Sequence, residues 1–147
     1  MDKIQNILVP VDDSVQSKLA FEKAVSFSQA CSAHLTILYV VNDRAYSLSS
    51  RDPLLEKLLL SEEKRAESHM VERKKYMSEK RVSGFNTEIV TGNPKEKIQN
   101  YVKQHQNIGL IFMGATGSGS PYRHGASMGS TTGYVVDHVT CSVVVVR

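Results

Sequence analysis

Apolar segments of strand length alternate with longer segments of helical periodicity along the whole chain. The strand-length segments are rich in β-branched residues and apolar on both faces, which is typical of buried strands. They cover Ile4 to Val11, His34 to Val41, Phe85 to Val90, Ile108 to Met113 and Ser142 to Val146. Because such strands alternate with helices, the pattern predicts a parallel sheet with helices on both faces and right-handed crossovers.

Four helices are predicted between these strands. The first spans Val15 to Cys31 and follows Ser14, a residue type that caps helix N-termini. Two shorter helices are predicted from Pro94 to about Gln104 and from Thr131 to Val139. On the first helix, the residues expected to face the sheet share one side: Ala20, Ala24, Phe27 and Cys31, with Phe21 and Val25 beside them. The predicted order of elements is therefore β-α-β-α-β-α-β-loop-α-β.

The remaining helix is long and begins at Pro53, a residue well suited to a first helical turn. Its apolar seam contains Leu55, Leu59, Ala66, Met70 and Met77. Its other faces carry Glu62, Lys64, Glu67, Arg73, Lys74 and Lys80. This charge pattern is interpreted as the solvated surface of the helix.

Composition limits the class of protein. The chain has 147 residues, 41% of them hydrophobic and 22% charged, which predicts a single globular domain over residues 1–147. The net charge of +3 is mild, and no run of Lys and Arg is long enough to act as a nucleic-acid arm, so a nucleic-acid partner is not expected. The longest apolar runs have strand length and the N-terminus lacks a secretory pattern. We therefore expect no membrane association and a cytoplasmic location.

Familiar catalytic motifs are absent from the sequence. It contains no phosphate-binding Gly-x-x-x-x-Gly-Lys-Ser/Thr, no Gly-x-Ser-x-Gly elbow and no His-Glu-x-x-His. The dinucleotide fingerprint fails after Gly119, and the five histidines are scattered, although His124 lies within a glycine-rich segment. Cys31 and Cys141 lack metal-ligand spacing and are interpreted as reduced, packed thiols.

The segment from Gly114 to Thr132 is rich in glycine and serine and joins a predicted buried strand to a predicted helix. Glycines let the backbone approach an anion, and the N–H groups of a first helical turn point toward it. On its own such a segment is more typical of a flexible connection, but its position between strand and helix favours a phosphate-binding cradle. Asp12 and Asp13, at the end of the first strand, are by themselves typical of a turn and a helix cap.

Several of these segments are expected to meet at one edge of the sheet. Parallel α/β sheets bind ligands beyond the carboxyl ends of their strands, where the strand order reverses. Those ends are predicted at Pro10 to Asp13, Val40 to Asn42, Gly92 with Asn93, and Gly114 onward.

Six segments, in order, share the pattern of one known family. They are Ile-Leu-Val-Pro-Val-Asp-Asp-Ser at 7–14, Leu-Thr-Ile-Leu-Tyr-Val-Val at 35–41, Thr-Gly-Asn-Pro at 91–94, Ile-Phe-Met-Gly-Ala-Thr-Gly at 111–117, Gly-Ser-Thr at 129–131 and Val-Thr-Cys-Ser-Val-Val-Val-Val at 139–146. Each alone is a weak signal. Together, at this chain length, they resemble the universal stress protein family over the whole chain.

The resemblance implies a doubly wound, Rossmann-like α/β fold with five parallel strands in the order 3-2-1-4-5. Some family members bind ATP through Gly-x2-Gly-x9-Gly-Ser/Thr, and others lack that motif and do not. By position, the implied ATP-binding residues are Pro10, Val11, Asp12, Val40, Met113, Gly114, Gly117, Gly129, Ser130, Thr131 and Thr132. Val11 and Asp12 would meet the adenine, and Val40 would line the base pocket partly through its backbone. Met113 and Gly114 would lie near the ribose, and the residues from Gly117 onward would hold the phosphates.

The sequence departs from that motif because eleven residues, not nine, separate Gly117 from Gly129. The extra pair falls within Ser118 to His124. If it bulges outward, the cradle survives, whereas an inward fold would let Tyr122 or Arg123 block or reshape the phosphate site. Arg123 could instead pair with a γ-phosphate.

The leading function hypothesis is an ATP-binding regulatory protein of the stress response with little or no turnover. Mg²⁺-assisted slow hydrolysis, with Asp12 or Asp13 near the metal, is a further option. The alternative is a nucleotide-free, dimeric interaction module of the same fold. The resemblance also implies a homodimer through the edge strand Ser142 to Val146, alongside an unidentified regulatory partner.

Overall fold

Five parallel strands form one sheet in the order β3-β2-β1-β4-β5 in the computed structural model, which describes residues 3–43, 52–117 and 128–147. The elements are β1 Asn6–Val11, α1 Val15–Cys31, β2 His34–Asn42, α2 Pro53–Glu79, β3 Phe85–Gly92, α3 Pro94–Gln104, β4 Leu110–Gly114, α4 Ser130–His138 and β5 Ser142–Val146. The predicted fold class, strand order and alternation of elements are confirmed. Within these residues, no helix combines the length and apolar character needed to cross a bilayer.

Two strand starts differ from the predictions, those of β1 and β4. Pairing of β1 with β2 begins at Asn6, and Ile4 packs against the core outside the sheet. The residue Ile108 belongs to a turn, in which its N–H donates to the carbonyl of His105, so β4 starts at Leu110. A prediction from apolar character alone therefore placed the start of each strand two residues too early.

Each face of the sheet has its own core. The core under α1 and α2 includes Ile7, Val9, Phe21, Ile37 and Met77, all with negligible exposure. The opposite core, under α3 and α4, contains Leu8, Leu38, Ile98, Val102, Ile108, Ile111, Met113 and Val135. Because both faces are covered, the strands are apolar on both sides, as the sequence pattern predicted.

The predicted buried stripe of α1 is partly wrong. The side chains that α1 buries are Ser17, Ala20, Phe21, Ala24, Val25 and Ser28. Phe27 is 39% exposed and Cys31 is only half-buried. The ring of Phe27 contacts Phe112 of β4 with a centroid separation of 5.6 Å, at the margin of the helix–sheet contact. The helix therefore faces the sheet through a side centred on Phe21 and Ala24.

Arg73 corrects the interpretation of α2, whose charged residues were all assigned to its solvated surface. Only 7% of Arg73 is exposed, and its guanidinium lies over the ring of Phe21, 5.1 Å from the centroid. Its Nε has no hydrogen-bond partner among the described residues. Arg73 continues the spacing of Ala66, Met70 and Met77, so its aliphatic stem completes the buried seam.

Candidate functional site

A cleft of about 290 Å³ opens at the carboxyl edge of the sheet. All eleven residues predicted for nucleotide binding line it: Pro10, Val11, Asp12, Val40, Met113, Gly114, Gly117, Gly129, Ser130, Thr131 and Thr132. Its volume is near the lower end of the range of roughly 300–1,000 Å³ that is typical of small-ligand clefts. The structure thus brings together residues that are up to 122 positions apart, between Pro10 and Thr132.

The strand order explains why the cleft lies there. The central strand β1 has β2 and β3 on one side and β4 and β5 on the other. The connections on either side of β1 therefore diverge, and the ends of β1 and β4 leave a crevice between them. The first turns of α3 and α4 form the remaining walls, through Pro94 and Ser130.

The backbone of Val40 faces this crevice. The N–H of His34 donates to the carbonyl of Gln5, on the β1 side of β2, at 2.8 Å. Because peptide groups alternate in direction along a strand, the backbone of Val40 points to that same side. Pairing between β1 and β2 ends at Val11 and Tyr39, so Val40 lies beyond the last paired position. Its carbonyl is thereby directed toward the cleft.

The N-terminus of α4 closes the other end of the cleft. Gly129 is its N-cap and supplies no side-chain cap, while the N–H of Gly129 donates to the carbonyl of Ala115 at 2.7 Å. The N–H groups of a first helical turn lack intrahelical acceptors, which makes this end attractive to anions. The hydroxyl of Thr132 donates to the carbonyl of Gly114 at 2.7 Å. The hydroxyl proton of Thr132 is therefore engaged within the protein.

Asp12 combines a structural role with its place in the cleft. Its Oδ1 accepts the N–H of Ser14 at 2.8 Å, and its own N–H donates to Oγ of Ser17 at 2.9 Å. Ser14 in turn caps α1 by accepting the N–H of Ser17 at 3.1 Å, as predicted. The carboxylate of Asp12 also lies against Gly117, where a β-carbon would be 2.6 Å from Oδ2. Gly117 is thus a close-approach glycine, and the atom it approaches belongs to the protein.

Asp13 points away from the cleft and toward α2. Its Oδ2 lies 3.2 Å from Nη2 of Arg65. Burial, followed by the nearby carboxylates of Asp13, Asp12 and Glu62, raises the pKa of Tyr39 to about 12. No group of three His, Cys, Asp or Glu side chains within residues 3–43, 52–117 and 128–147 could hold a metal ion. Of the two aspartates considered for Mg²⁺, only Asp12 lines the cleft.

Gln16 was missed by the sequence reasoning. Its Oε1 accepts hydrogen bonds from the N–H of Thr116 at 2.8 Å and from the hydroxyl of Thr116 at 2.9 Å. A β-carbon on Gly114 would lie 2.9 Å from the Gln16 backbone, so β4 ends in direct contact with α1. Other lining residues absent from the predicted set are Ser17, Leu38, Asn42, Pro94, Ile98 and Thr116. For Ser17, Asn42, Pro94 and Thr116, a position at a strand end or in a first helical turn was the available signal, whereas Leu38 lies in the middle of β2 and Ile98 in the second turn of α3.

Tyr122, Arg123 and His124 lie outside the described residues. The γ-phosphate contact of Arg123, and the direction taken by the two additional residues between Gly117 and Gly129, stay predictions.

Comparison with known proteins decides the family. The model of the universal stress protein family matches residues 3–147, almost the whole chain. The chain belongs to the universal stress protein family. A universal stress protein of Staphylococcus aureus strain USA300 is 30% identical over 143 residues, covering 97% of this chain and 84% of that relative.

Solved structures of universal stress proteins share the same fold. The universal stress protein UspA from Lactobacillus plantarum is 45% identical, with a TM-score of 0.91 and full coverage of both chains. A universal stress protein in complex with cAMP has 16% identity and a TM-score of 0.65, covering 99% of this chain and 98% of that one. The protein from Archaeoglobus fulgidus in complex with dAMP has 13% identity and a TM-score of 0.62, covering 99% and 100%. These two distant likenesses establish a common fold.

Proposed function

We propose that this universal stress protein binds an adenine nucleotide, ATP in the first instance, and acts as a regulatory protein of the stress response with little or no turnover. The observation that carries the proposal is the cleft at the carboxyl edge, where all eleven candidate residues converge beside the N-terminus of α4. Two distant family members bind cAMP and dAMP, which makes adenine nucleotides the ligand class to test.

The base would occupy the end of the cleft near β2. Leu38, Ile98 and Met113 supply apolar walls there. The carbonyl of Val40 is directed toward the same space and could accept a hydrogen bond from the exocyclic amino group of adenine. Guanine presents an oxygen at the corresponding position and would meet the carbonyl as a second acceptor. This arrangement supports a preference for adenine.

The phosphates would occupy the other end, over the first turn of α4. Ser130 and Thr131 contribute backbone N–H groups and hydroxyls, and Thr132 contributes its N–H. Mg²⁺ accompanying the nucleotide would offset phosphate charge, and Asp12 is the carboxylate in the cleft wall that could contact it or its waters. The donors in this part of the cleft therefore fit a phosphate chain.

The side chains that line the described cleft support the proposal of little or no turnover. Asp12 is the one ionisable side chain among its described lining residues. Phosphoryl transfer depends on neutralising the transferred group and on positioning the nucleophile. Asp12 is already oriented by the N–H of Ser14, an arrangement that serves binding and turn formation better than proton transfer.

Thermal unfolding of nucleotide-cleared protein tests the proposed function. A ligand that binds only the folded state at one hundred times its dissociation constant stabilises it by about 2.7 kcal/mol. We expect ATP with Mg²⁺ to raise the Tm, GTP to raise it less, and phosphate release to stay at the rate of ATP alone. An unchanged Tm with every adenine nucleotide would support the nucleotide-free alternative, and rapid phosphate release would indicate an ATPase.

We also propose a homodimer through β5. This strand pairs only with β4 in the described sheet and forms its edge. Val144 at its centre is 37% exposed. An apolar edge strand with unpaired peptide groups favours pairing with another strand, and a second copy offers the same edge.

A further inference from the structure

We propose that Gln16 is a positioning residue for the phosphate end of the cleft, an inference that rests on the proposed nucleotide function. Its Oε1 accepts both the N–H and the hydroxyl of Thr116, at 2.8 and 2.9 Å. Thr116 and Gly117 line the cleft, whereas Gln16 stands behind them on α1. Gln16 therefore acts on a ligand through Thr116.

The contact joins two segments 100 residues apart in sequence. Gln16 lies in the first turn of α1, and Thr116 lies two residues after the end of β4. The close approach of Gly114 to the Gln16 backbone brings β4 against the helix, within reach of this side chain. The two hydrogen bonds from Thr116 to Gln16 are called the clamp below. The clamp and the backbone packing of Gly114 thus fix the same short segment.

The opposite side of that segment is held by α4. The N–H of Gly129 donates to the carbonyl of Ala115, so Ala115 and Thr116 are fixed from two directions. Ordering a binding segment before the ligand arrives reduces the entropy lost on binding. Because Gly117 adjoins the clamp and Val40 does not, the effect acts on the phosphates and leaves the base end unchanged.

The chemistry of an amide suits this position. The neutral Oε1 of Gln16 accepts two hydrogen bonds without adding negative charge beside the phosphates. Glutamate could accept the same two bonds but would repel a phosphate chain. Leucine has a similar size and would leave the N–H and hydroxyl of Thr116 without their acceptor.

Amide hydrogen exchange of nucleotide-free protein tests the clamp without a ligand. We expect the N–H of Thr116 to exchange about tenfold faster in Gln16→Leu and to stay protected in Gln16→Glu. Gln29→Leu is the matched control, because Gln29 also lies on α1 and donates to the carbonyl of Lys80 far from the cleft. Unchanged exchange of Thr116 in Gln16→Leu would overturn the inference and leave the proposed function standing.

Calorimetric titration with ATP and with adenosine then tests the link to phosphate. We expect Gln16→Leu to weaken ATP binding by about tenfold and adenosine binding by less than about twofold. Gln16→Glu should also weaken ATP selectively, through charge, while Gln29→Leu changes neither affinity. Equal losses for both ligands would overturn the phosphate-positioning role. A wild-type protein that binds neither ligand would overturn the proposed function, and with it this role of Gln16.

Discussion

Gly117 and Asp12 approach so closely that a β-carbon on Gly117 would lie 2.6 Å from Oδ2 of Asp12. The two residues belong to different segments and together shape the wall of the cleft. The carboxylate of Asp12 therefore favours glycine at position 117, whether or not a phosphate also approaches it. The end of a side chain can move, so a substitution would displace the carboxylate rather than prevent folding.

Gly117→Ala should weaken ATP binding by about tenfold, or about 1.4 kcal/mol, because Asp12 must leave its position between Ser14 and the cleft. Calorimetry measures this change. Gly133→Ala is the control, because a β-carbon there meets nothing within 4 Å. It should retain ATP affinity and gain about 0.5–1 kcal/mol of stability from its place inside α4. Wild-type affinity in Gly117→Ala would contradict the placement of Asp12 in the binding site.

Arg73→Met should stabilise the protein by about 1–2 kcal/mol, measured by chemical denaturation. Methionine keeps an unbranched stem against Phe21 and removes a buried charge whose Nε has no partner among the described residues. Arg65→Met, on the same helix, is the matched control. Because the side chain of Arg65 is 58% exposed, its change should stay within about 0.5 kcal/mol. A loss of stability in Arg73→Met would show that the cation–π contact outweighs desolvation.

Alkaline pH should destabilise the protein through Tyr39. Burial and neighbouring carboxylates raise its pKa from 10.0 to about 12, so the folded state keeps the phenol neutral after the unfolded chain has ionised. Stability from this residue is complete below pH 10 and is lost as pH rises to about 12, by about 2–3 kcal/mol at 1.36 kcal/mol per pKa unit. Denaturation of wild type and Tyr39→Phe across this range isolates the effect from lysine titration. If the free energies of unfolding of wild type and Tyr39→Phe fell in parallel over this pH range, the assignment to Tyr39 would be contradicted.

Val144→Lys should convert the proposed dimer to a folded monomer, because a charge at the centre of β5 opposes strand pairing between copies. Analytical ultracentrifugation reports the mass, and circular dichroism reports the fold. Val71→Lys changes another exposed valine, on α2 and away from the edge strand, and should leave the mass unchanged. A wild-type monomer, or a Val144→Lys dimer, would exclude this interface.

The helices, strands and their order were predictable because the residues that start each element agree with the apolar pattern expected for a covered parallel sheet. Pro94 and Ser142 mark element starts, and the two-sided apolar strands indicate a covered parallel sheet. Strand ends were less predictable, because Ile108 is as apolar as its neighbours and only its bond to His105 assigns it to a turn. Arg73 was misassigned although its spacing fits the buried seam, since charge was given more weight than periodicity.

The parts of the candidate site that lie at strand ends and helix starts were predictable from the sequence. The contacts between residues distant in sequence were not. Strand ends and the start of α4 could be located from sequence, and family resemblance supplied the identities of the residues. The clamp of Gln16 on Thr116 joins positions 100 residues apart, and a glutamine in a first helical turn has no local signature. The engagement of the Thr132 hydroxyl with Gly114 likewise depends on three-dimensional contact.

Isothermal titration calorimetry of nucleotide-cleared protein with ATP and Mg²⁺ tests the central claim most directly. The arrangement of Val40, Gly117 and the first turn of α4 predicts saturable binding at one site per chain, with GTP binding more weakly. The absence of a binding heat for ATP, ADP and AMP with folded protein, confirmed at a second temperature, would contradict a nucleotide-binding function for this cleft.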